Sequence, residues 1–441
     1  MDENTLLKRL QRYSNSSATF AALSAKFITS HQLDPQDLVK HLGSLRGPLM
    51  KVAQLLSMVP DILPEPYAQA LSVLQSQAPS MGGLFVKRRM KSELGPNWER
   101  HFKTFNLEPF AAASIGQVHK AQNERGDWLA CKLQYPHMQG IIEADLAQFR
   151  LLLSLYESRG GSLKTGQFLE EIQHYLYEEI SYKKEAQNIH LFQKIFNTYP
   201  NISIPQVFPS LSTDRLLTMS YMRGYSLEDF SKESLGVRNK AAKNLFFSWY
   251  YPLYAHGYLH GDPHAGNYLF SEEGEISLLD FGCVRYFSPS FLLGVRQLYE
   301  ALKTNKEDLL INAYQQWGFK NLTKELAQTL TLWARFLYGP VLEDRIRPIA
   351  EAYNGQEGRR IAKEVLKKLK VHGKVELPRE FILMDRVAVG MGAAFIKLKA
   401  ELNWHQLFEE ILNQAGFLSR YERDIPQQIQ DDVNHCKGNK S

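Results

Sequence analysis

The segment that most constrains this chain is His260-Gly261-Asp262-Pro263-His264-Ala265-Gly266-Asn267, followed by Asp280-Phe281-Gly282. The apolar run Ile276 to Leu279 between them reads as a short strand that returns Asp280 to the side of the first loop. Two acids and an amide gathered this way suit phosphoryl transfer. Asp262 is the carboxylate that would orient a nucleophile. The side-chain oxygens of Asn267 and Asp280 would hold magnesium, which prefers hard oxygen donors. The competing account is a turn running into a core strand, with Asp-Phe-Gly arising by chance. Both patterns in this order, separated by one hairpin, argue against it.

The spacing of Asp262 and Asn267 matches D-x-x-x-x-N, the catalytic-loop pattern of protein kinases, and Asp280-Phe281-Gly282 matches their metal-binding triplet. Upstream, Leu129-Ala130-Cys131-Lys132 resembles the strand whose lysine holds the α- and β-phosphates of ATP. That lysine needs a carboxylate partner. Glu185 is the candidate, with a solvated helix charge as its plain alternative. Where a kinase has a glycine-rich loop, this chain has Ala111-Ala112-Ala113-Ser114-Ile115-Gly116. Alanine disfavours the positive φ that glycine permits, so the segment must hold phosphates differently from a flexible flap. A helix N-terminus capped by Ser114 is the alternative, and its amides would also suit a phosphate.

The 441 residues suffice for two or three domain-sized units, and 44% hydrophobic with 22% charged residues is ordinary for a soluble globular protein. A net charge of +5, with no basic stripe interleaved with aromatics, gives no reason to expect nucleic acid as a partner. Cys131, Cys283 and Cys436 have no CxxC spacing, which argues against a zinc site or disulfide framework and fits a reducing compartment. The start of the chain lacks the apolar core of a signal peptide, and no apolar run is long enough to suggest a membrane span. Phe246 to Leu259 and Phe381 to Leu398 read as buried helices. The expected location is cytoplasmic, with peripheral contact at the inner face of a membrane as a further expectation. That contact would use the basic stretch Arg345 to Lys374, where Ile361, Val365 and Leu369 either pack on the protein or dip into the interface.

The pattern predicts mostly helix over 1–108 and a β-hairpin from Gln117 to Ala121 and Trp128 to Leu133. Helices are expected from Ile141 to Tyr156 and Phe168 to Phe196, and strands at Gln206 to Phe208 and Arg215 to Tyr221. Mainly helical sequence follows. A sheet-containing part followed by a helical part suggests an α+β fold with two lobes and a nucleotide in the cleft between them. The expected divisions are a helical extension over 1–108, an N-lobe with a helical insertion over 109–222, a C-lobe over 223–426 and a polar tail over 427–441.

Together these residues resemble the UbiB-like (AarF-domain) atypical kinases, which are linked to coenzyme Q metabolism. The resemblance runs from about Gly47 to Leu402. It rests on Ala111 to Ser114, on Lys132, on Glu185-Ala186-Gln187-Asn188 for the family's E-A-x-N, and on the catalytic block, where Ala265 replaces the usual proline. The family's K-x-G-Q signature is met by Lys51 and Gln54, with Ala53 in place of glycine. Its E-x-D signature is met by Glu179, with Ser181 in place of the aspartate. The resemblance implies a bilobal protein-kinase-like fold with ATP and magnesium as cofactors. Asp262, Lys132, Glu185 and Lys51 would be catalytic, with Lys132 paired to Glu185. Asn267 and Asp280 would bind metal. Ala111, Ala112, Ala113, Ser114, Lys132, Tyr221 and Met222 would bind nucleotide. Lys51, Gln54 and Glu179 would gate the site, since the family's extension folds over it, and Ala53 and Ser181 would loosen that closure. The implied function is an atypical kinase or ATPase supporting ubiquinone or isoprenoid-lipid metabolism. A small-molecule kinase of the aminoglycoside or choline phosphotransferase type, and a non-catalytic ATP-binding scaffold, are the alternatives.

Overall fold

The computed structural model describes residues 81–113, 115–158, 166–319, 322–351, 355–371 and 378–416. It forms two compact units, one from the described residues of Met1–Gly161 and Leu169–Ile180, the other from those of Ser162–Phe168 and Ser181–Ser441.

In the first unit, helix α1 (Gly83–Leu94) precedes four antiparallel-paired strands: β1 (Thr104–Phe105), β2 (Ala111–Ala113), β3 (Gly116–Gln122) and β4 (Trp128–Gln134). The expected hairpin is present as β3 and β4, in a register that sets Val118 opposite Lys132. Asn123 closes its turn by accepting the Asp127 amide at 2.8 Å, and Gly126 supplies the required φ of +90°. Buried and half-buried residues alternate along β3, whereas β4 is buried from Leu129 to Gln134. The short strand β1 was not legible as a strand. It is fixed by tertiary packing, with Phe105 against Trp98, Phe102 and the ring of His119. Helices α2 (Met138–Ser158) and α3 (Gly166–Glu179) follow, and Gln134 donates to the carbonyl of Ile180 at 2.8 Å.

The second unit opens with α4 (Tyr182–Ile195). The expected continuous helix from Phe168 to Phe196 is therefore two helices. Ser181 is extended, and its hydroxyl accepts the Lys184 amide at 3.3 Å, so it starts a new helix rather than continuing the old one. Strands β5 (Ile202–Ser203) and β6 (Leu216–Ser220) and helix α5 (Leu227–Phe230) lead into the long helix α6 (Leu235–His256). Of Gln206 to Phe208, Val207 alone bridges, to Met219. Helix α6 is buried as expected, but it stops short of Leu259. Gly257 ends it at φ +77°, where a Cβ would lie 2.9 Å from the carbonyl oxygen of Phe287, and Tyr258 and Leu259 pass into a strand. Four short strands then hold the central loops: β7 (Tyr258–His260), β8 (Tyr268–Phe270), β9 (Ile276–Leu278) and β10 (Val284–Tyr286). Strand β7 pairs with β10, and β9 pairs with β8 and β5.

Helices α7 (Pro289–Thr304), α8 (Glu307–Gln316), α9 (Lys324–Leu342), α10 (Gly355–Val371), α11 (Arg379–Leu398) and α12 (Trp404–Gln414) complete the unit. Helix α10 carries much of the basic stretch. Its Val365 and Leu369 are buried, and Gly358 lets it approach the Phe336 ring, which a Cβ would meet at 2.7 Å. Those two residues thus pack on the protein, leaving Lys363, Lys367 and Lys368 exposed. No described helix is long and apolar enough to cross a membrane.

Helix α11 contains a carboxyl in an unusual setting. Burial pushes Asp385 up to about 7, although Trp333 Nε1 donates a hydrogen bond to it. Tyr250, Tyr254 and Tyr338 line the same pocket, and burial pushes their phenols upward, so they stay neutral through this range. Arg386, next on the helix, keeps a constant charge. Between about pH 4 and 7 the unfolded chain has released the Asp385 proton and the folded chain retains it, so stability falls as pH rises through that window. Asp385→Asn keeps an acceptor for Trp333 and removes the titration. At pH 8 it is expected to be more stable than the wild type by about 4 kcal/mol less the cost of burying the new amide, with the gap closing towards pH 4. Urea unfolding at both pH values checks this, and equal pH profiles for the two proteins would count against it.

Candidate functional site

The centre of the second unit is built on the β7–β10 pair and the β8–β9 hairpin. Strand β7 ends at His260, two residues before Asp262. Strand β9 ends at Leu278, two residues before Asp280. The two loops are tied together by backbone: Gly261 N–H donates to Cys283 C=O at 2.7 Å, and Leu279 N–H to Asn267 C=O at 2.9 Å.

His260 is the strut between them. Its Nε2 lies 2.5 Å from the Asp280 carbonyl and so carries the proton, while its Nδ1 accepts the Asp262 amide at 3.3 Å. The ring is buried against Trp249 and Phe281, and Trp249 Nε1 donates to the His260 carbonyl at 3.0 Å.

Asn267 donates from Nδ2 to the Asp262 carbonyl at 3.1 Å and to Asp262 Oδ2 at 3.0 Å. Asp280 Oδ1 accepts the Gly282 amide at 2.9 Å. Asp262 and Asp280 remain partly exposed, while Asn267 is buried. The amide oxygen of Asn267 and the carboxylate of Asp280 are hard oxygen donors that fit magnesium. No cluster of three or more His, Cys, Asp or Glu suited to a metal occurs among the described residues. An ion bound here would complete its shell with water and phosphate oxygens, as magnesium usually does.

Helix α4 clasps the Asp-Phe-Gly triplet from one side. Glu185 Oε1 accepts the Phe281 amide at 3.4 Å, and Asn188 Nδ2 donates to the Phe281 carbonyl at 2.8 Å. Glu185 and Asn188 are three residues apart on one helix face, so they reach the two peptide units that flank Phe281. The Phe281 ring is fully buried against Phe192.

Helix α11 holds the loop around Asp262 from another side. The Arg386 guanidinium donates to the Gly261 carbonyl and lies 3.5 Å from Cys283 Sγ. A Cβ on Gly390 would lie 2.3 Å from Pro263 Cγ, so glycine is what allows this helix to sit against the loop.

Asp262, Asn267, Asp280 and Glu185 thus lie in one unit around one pair of loops. Tyr221 and Met222 follow β6 and are half-buried. Lys132, Ala111, Ala112, Ala113 and Glu179 belong to the first unit. Lys132 is buried in β4, and Glu179 is buried at the end of α3. Ala111–Ala113 is a strand paired with β3, not a helix start, because Ala113 faces Gly116 across a tight turn. Ser114, Lys51, Ala53 and Gln54 lie outside the described residues.

Residues 73–313 match the family model described as the ABC1 atypical kinase-like domain. The chain belongs to this family. Its ABC1 domain is similar to the mitochondrial atypical kinase COQ8 of Saccharomyces cerevisiae, with 31% identity over 273 residues, 61% of this chain and 54% of that protein. The chloroplastic protein Activity of BC1 Complex Kinase 8 of Arabidopsis thaliana is 30% identical over 282 residues, 62% of this chain and 37% of that protein. AarF domain-containing protein kinase 1 of Xenopus laevis is 31% identical over 294 residues, 65% of this chain and 56% of that protein. The match thus spans about half or less of each relative's own length. Among solved structures, Rv3197 of Mycobacterium tuberculosis, in complex with erythromycin, aligns with a TM-score of 0.58 at 25% identity. That alignment covers 89% of this chain and 98% of Rv3197. The fold is kinase-like and mixes helix with sheet.

Four positioning roles were not read from the sequence, two of them inside the ABC1 match and two beyond it. Asn188 was visible as a motif letter and His260 as the first residue of the catalytic block, but neither carried a stated task. Arg386 and Gly390 had no signal at all, since they act from far along the chain.

Proposed function

We infer that this chain is an ATP- and magnesium-dependent atypical kinase or ATPase, supporting ubiquinone or isoprenoid-lipid metabolism as its resemblance to the UbiB-like kinases implies. The observation that carries the reading is the double clasp on Phe281 by Glu185 and Asn188, together with the His260 strut to Asp280. A retired site has no need to fix its metal-binding triplet from two directions. In this reading Asn267 and Asp280 hold magnesium and Asp262 orients the acceptor. Lys132 and the segment Ala111 to Ser114 hold phosphates, Glu185 supports Lys132, and Tyr221 and Met222 line the nucleotide. The proposed divisions remain 1–108, 109–222, 223–426 and 427–441. Magnesium-dependent release of phosphate from ATP by the purified chain tests the proposal. Absence of both turnover and nucleotide binding in a folded preparation would overturn it.

Lys51, Gln54 and Glu179 gate the site in this proposal. Ser181 supports the gating less than an aspartate would, although it already caps α4 and an aspartate there would cap equally well. The Ala53→Gly, Ser181→Asp double variant is therefore expected to fold normally and to turn over less ATP than the wild type. Equal or faster turnover would remove these two positions from the gating scheme.

The exposed lysines of α10 extend the proposal to peripheral contact with an anionic bilayer. Each contributes about 1 kcal/mol near such a surface, and salt weakens the attraction. Flotation with anionic vesicles at low and high salt measures it, and no binding at low salt ends the idea.

A further inference from the structure

A pocket lies in the second unit, away from the catalytic loop in sequence but sharing helix α11 with it. Its cavity measures about 80 Å³ and opens to solvent. Its walls are largely aromatic, including Phe246, Tyr250, Trp317, Phe381, Trp404 and Phe408, and they come from helices α6, α9, α11 and α12 and the residue that follows α8. Among the described residues, Asp385 is the one acid in the lining. Among the described residues its carboxyl meets Trp333 Nε1 and no cation, because the neighbouring Arg386 is turned to the Gly261 carbonyl.

That combination selects a chemical class. A carboxylate walled by aromatic rings is costly to ionise without a positive partner. A metal ion is a poor partner here, since a single acid among carbon faces offers too few oxygen ligands. An organic ammonium satisfies both features. Its charge meets the carboxylate, its body replaces water against the rings, and the ring faces attract the cation. An alcohol or an acid of the same size gains the apolar contact alone.

The same helix reaches the candidate catalytic loop. Asp385, Met384 and Phe381 line the pocket, while Arg386 holds Gly261 and Gly390 lies against Pro263. Leu383 comes within 3.2 Å of where a Cβ on Gly261 would stand. Close-packed contacts of this kind transmit small displacements rather than absorb them.

We propose that this pocket binds a small lipophilic amine through Asp385, and that helix α11 carries its occupancy to the loop around Asp262. Neither half requires that the chain turn over ATP.

The test uses 4-phenylbutylamine as the probe, with 4-phenylbutanol as its uncharged counterpart. Calorimetry at pH 8 on the full chain is expected to give at least about tenfold tighter binding of the amine than of the alcohol. Asp385→Asn should erase that preference while leaving weak binding of both. Ala388→Phe, which fills the pocket from the same helix, should abolish binding of both. Equal binding of amine and alcohol to the wild type, or an amine preference that survives Asp385→Asn, would overturn the site. For the coupling, the readout is amide exchange in peptides spanning Tyr258 to Tyr268, expected to slow about threefold on saturation with the amine. Unchanged exchange in the loop while the amine is bound would overturn the coupling.

Discussion

Asp280→Ala is expected to abolish the stabilisation that magnesium-ATP gives this chain. Without ligand, Asp280 braces its own loop. Its Oδ1 takes the Gly282 amide, its backbone carbonyl meets His260, and its carboxylate stays partly exposed. Alanine keeps the backbone contact to His260 and loses one exposed acceptor. The unliganded fold should therefore change by about 1 kcal/mol or less. The nucleotide loses much more, because the cation that would bridge phosphate to protein loses its only proposed anionic ligand. At ligand a hundredfold over its dissociation constant, binding stabilises the wild type by about 2.7 kcal/mol. The variant should show almost none of this. Thermal melts with ATP and magnesium, with ATP alone and with magnesium alone separate the cases. An undiminished shift in the variant would sink the assignment of Asp280 as a metal ligand.

The sequence made the centre of the second unit legible because its parts are local. Asp262, Asn267 and Asp280 fall within one stretch, and the short apolar run before Asp280 has no alternative to a strand. The β3–β4 hairpin was legible for the same reason, with alternation on one strand and turn residues between. The break at Ser181 was not, since a serine inside a helical pattern signals a boundary only through its own backbone conformation. Strand β1 was invisible because two residues carry no period, and its place comes from Phe105 packing on a ring cluster. The clasp on Phe281 lay half in view. The E-A-x-N letters were read, but that both side chains grip the backbone of Phe281 depends on how α4 meets the triplet. Arg386 and Gly390 were beyond reach, for they touch the loop across more than a hundred residues of chain. Their contribution is negative space and one guanidinium, neither of which leaves a pattern in a single sequence.

Asp262→Asn should separate binding from chemistry. Asp262 Oδ2 now accepts from Asn267 Nδ2, and the Asp262 carbonyl takes a second bond from the same amide. An asparagine at 262 retains a side-chain oxygen for Asn267, and the backbone bond is untouched, so the loop should keep its shape. What disappears is the charge and basicity that orient an acceptor and take its proton. Removing a general base of this kind costs about 10²- to 10⁴-fold in rate. The expected result is therefore a fall of that size in magnesium-dependent phosphate release, with nucleotide-induced stabilisation kept within about 0.5 kcal/mol of the wild type. The pattern opposes that of Asp280→Ala, where stabilisation goes first. If the chain used ATP only to hold its shape, Asp262→Asn would leave any residual hydrolysis unchanged, because no step would depend on that carboxylate. Single-turnover assays at saturating ATP make the comparison, since they remove product release from the rate. A variant that hydrolyses ATP at the wild-type rate would remove Asp262 from the chemistry and leave the scaffold account standing.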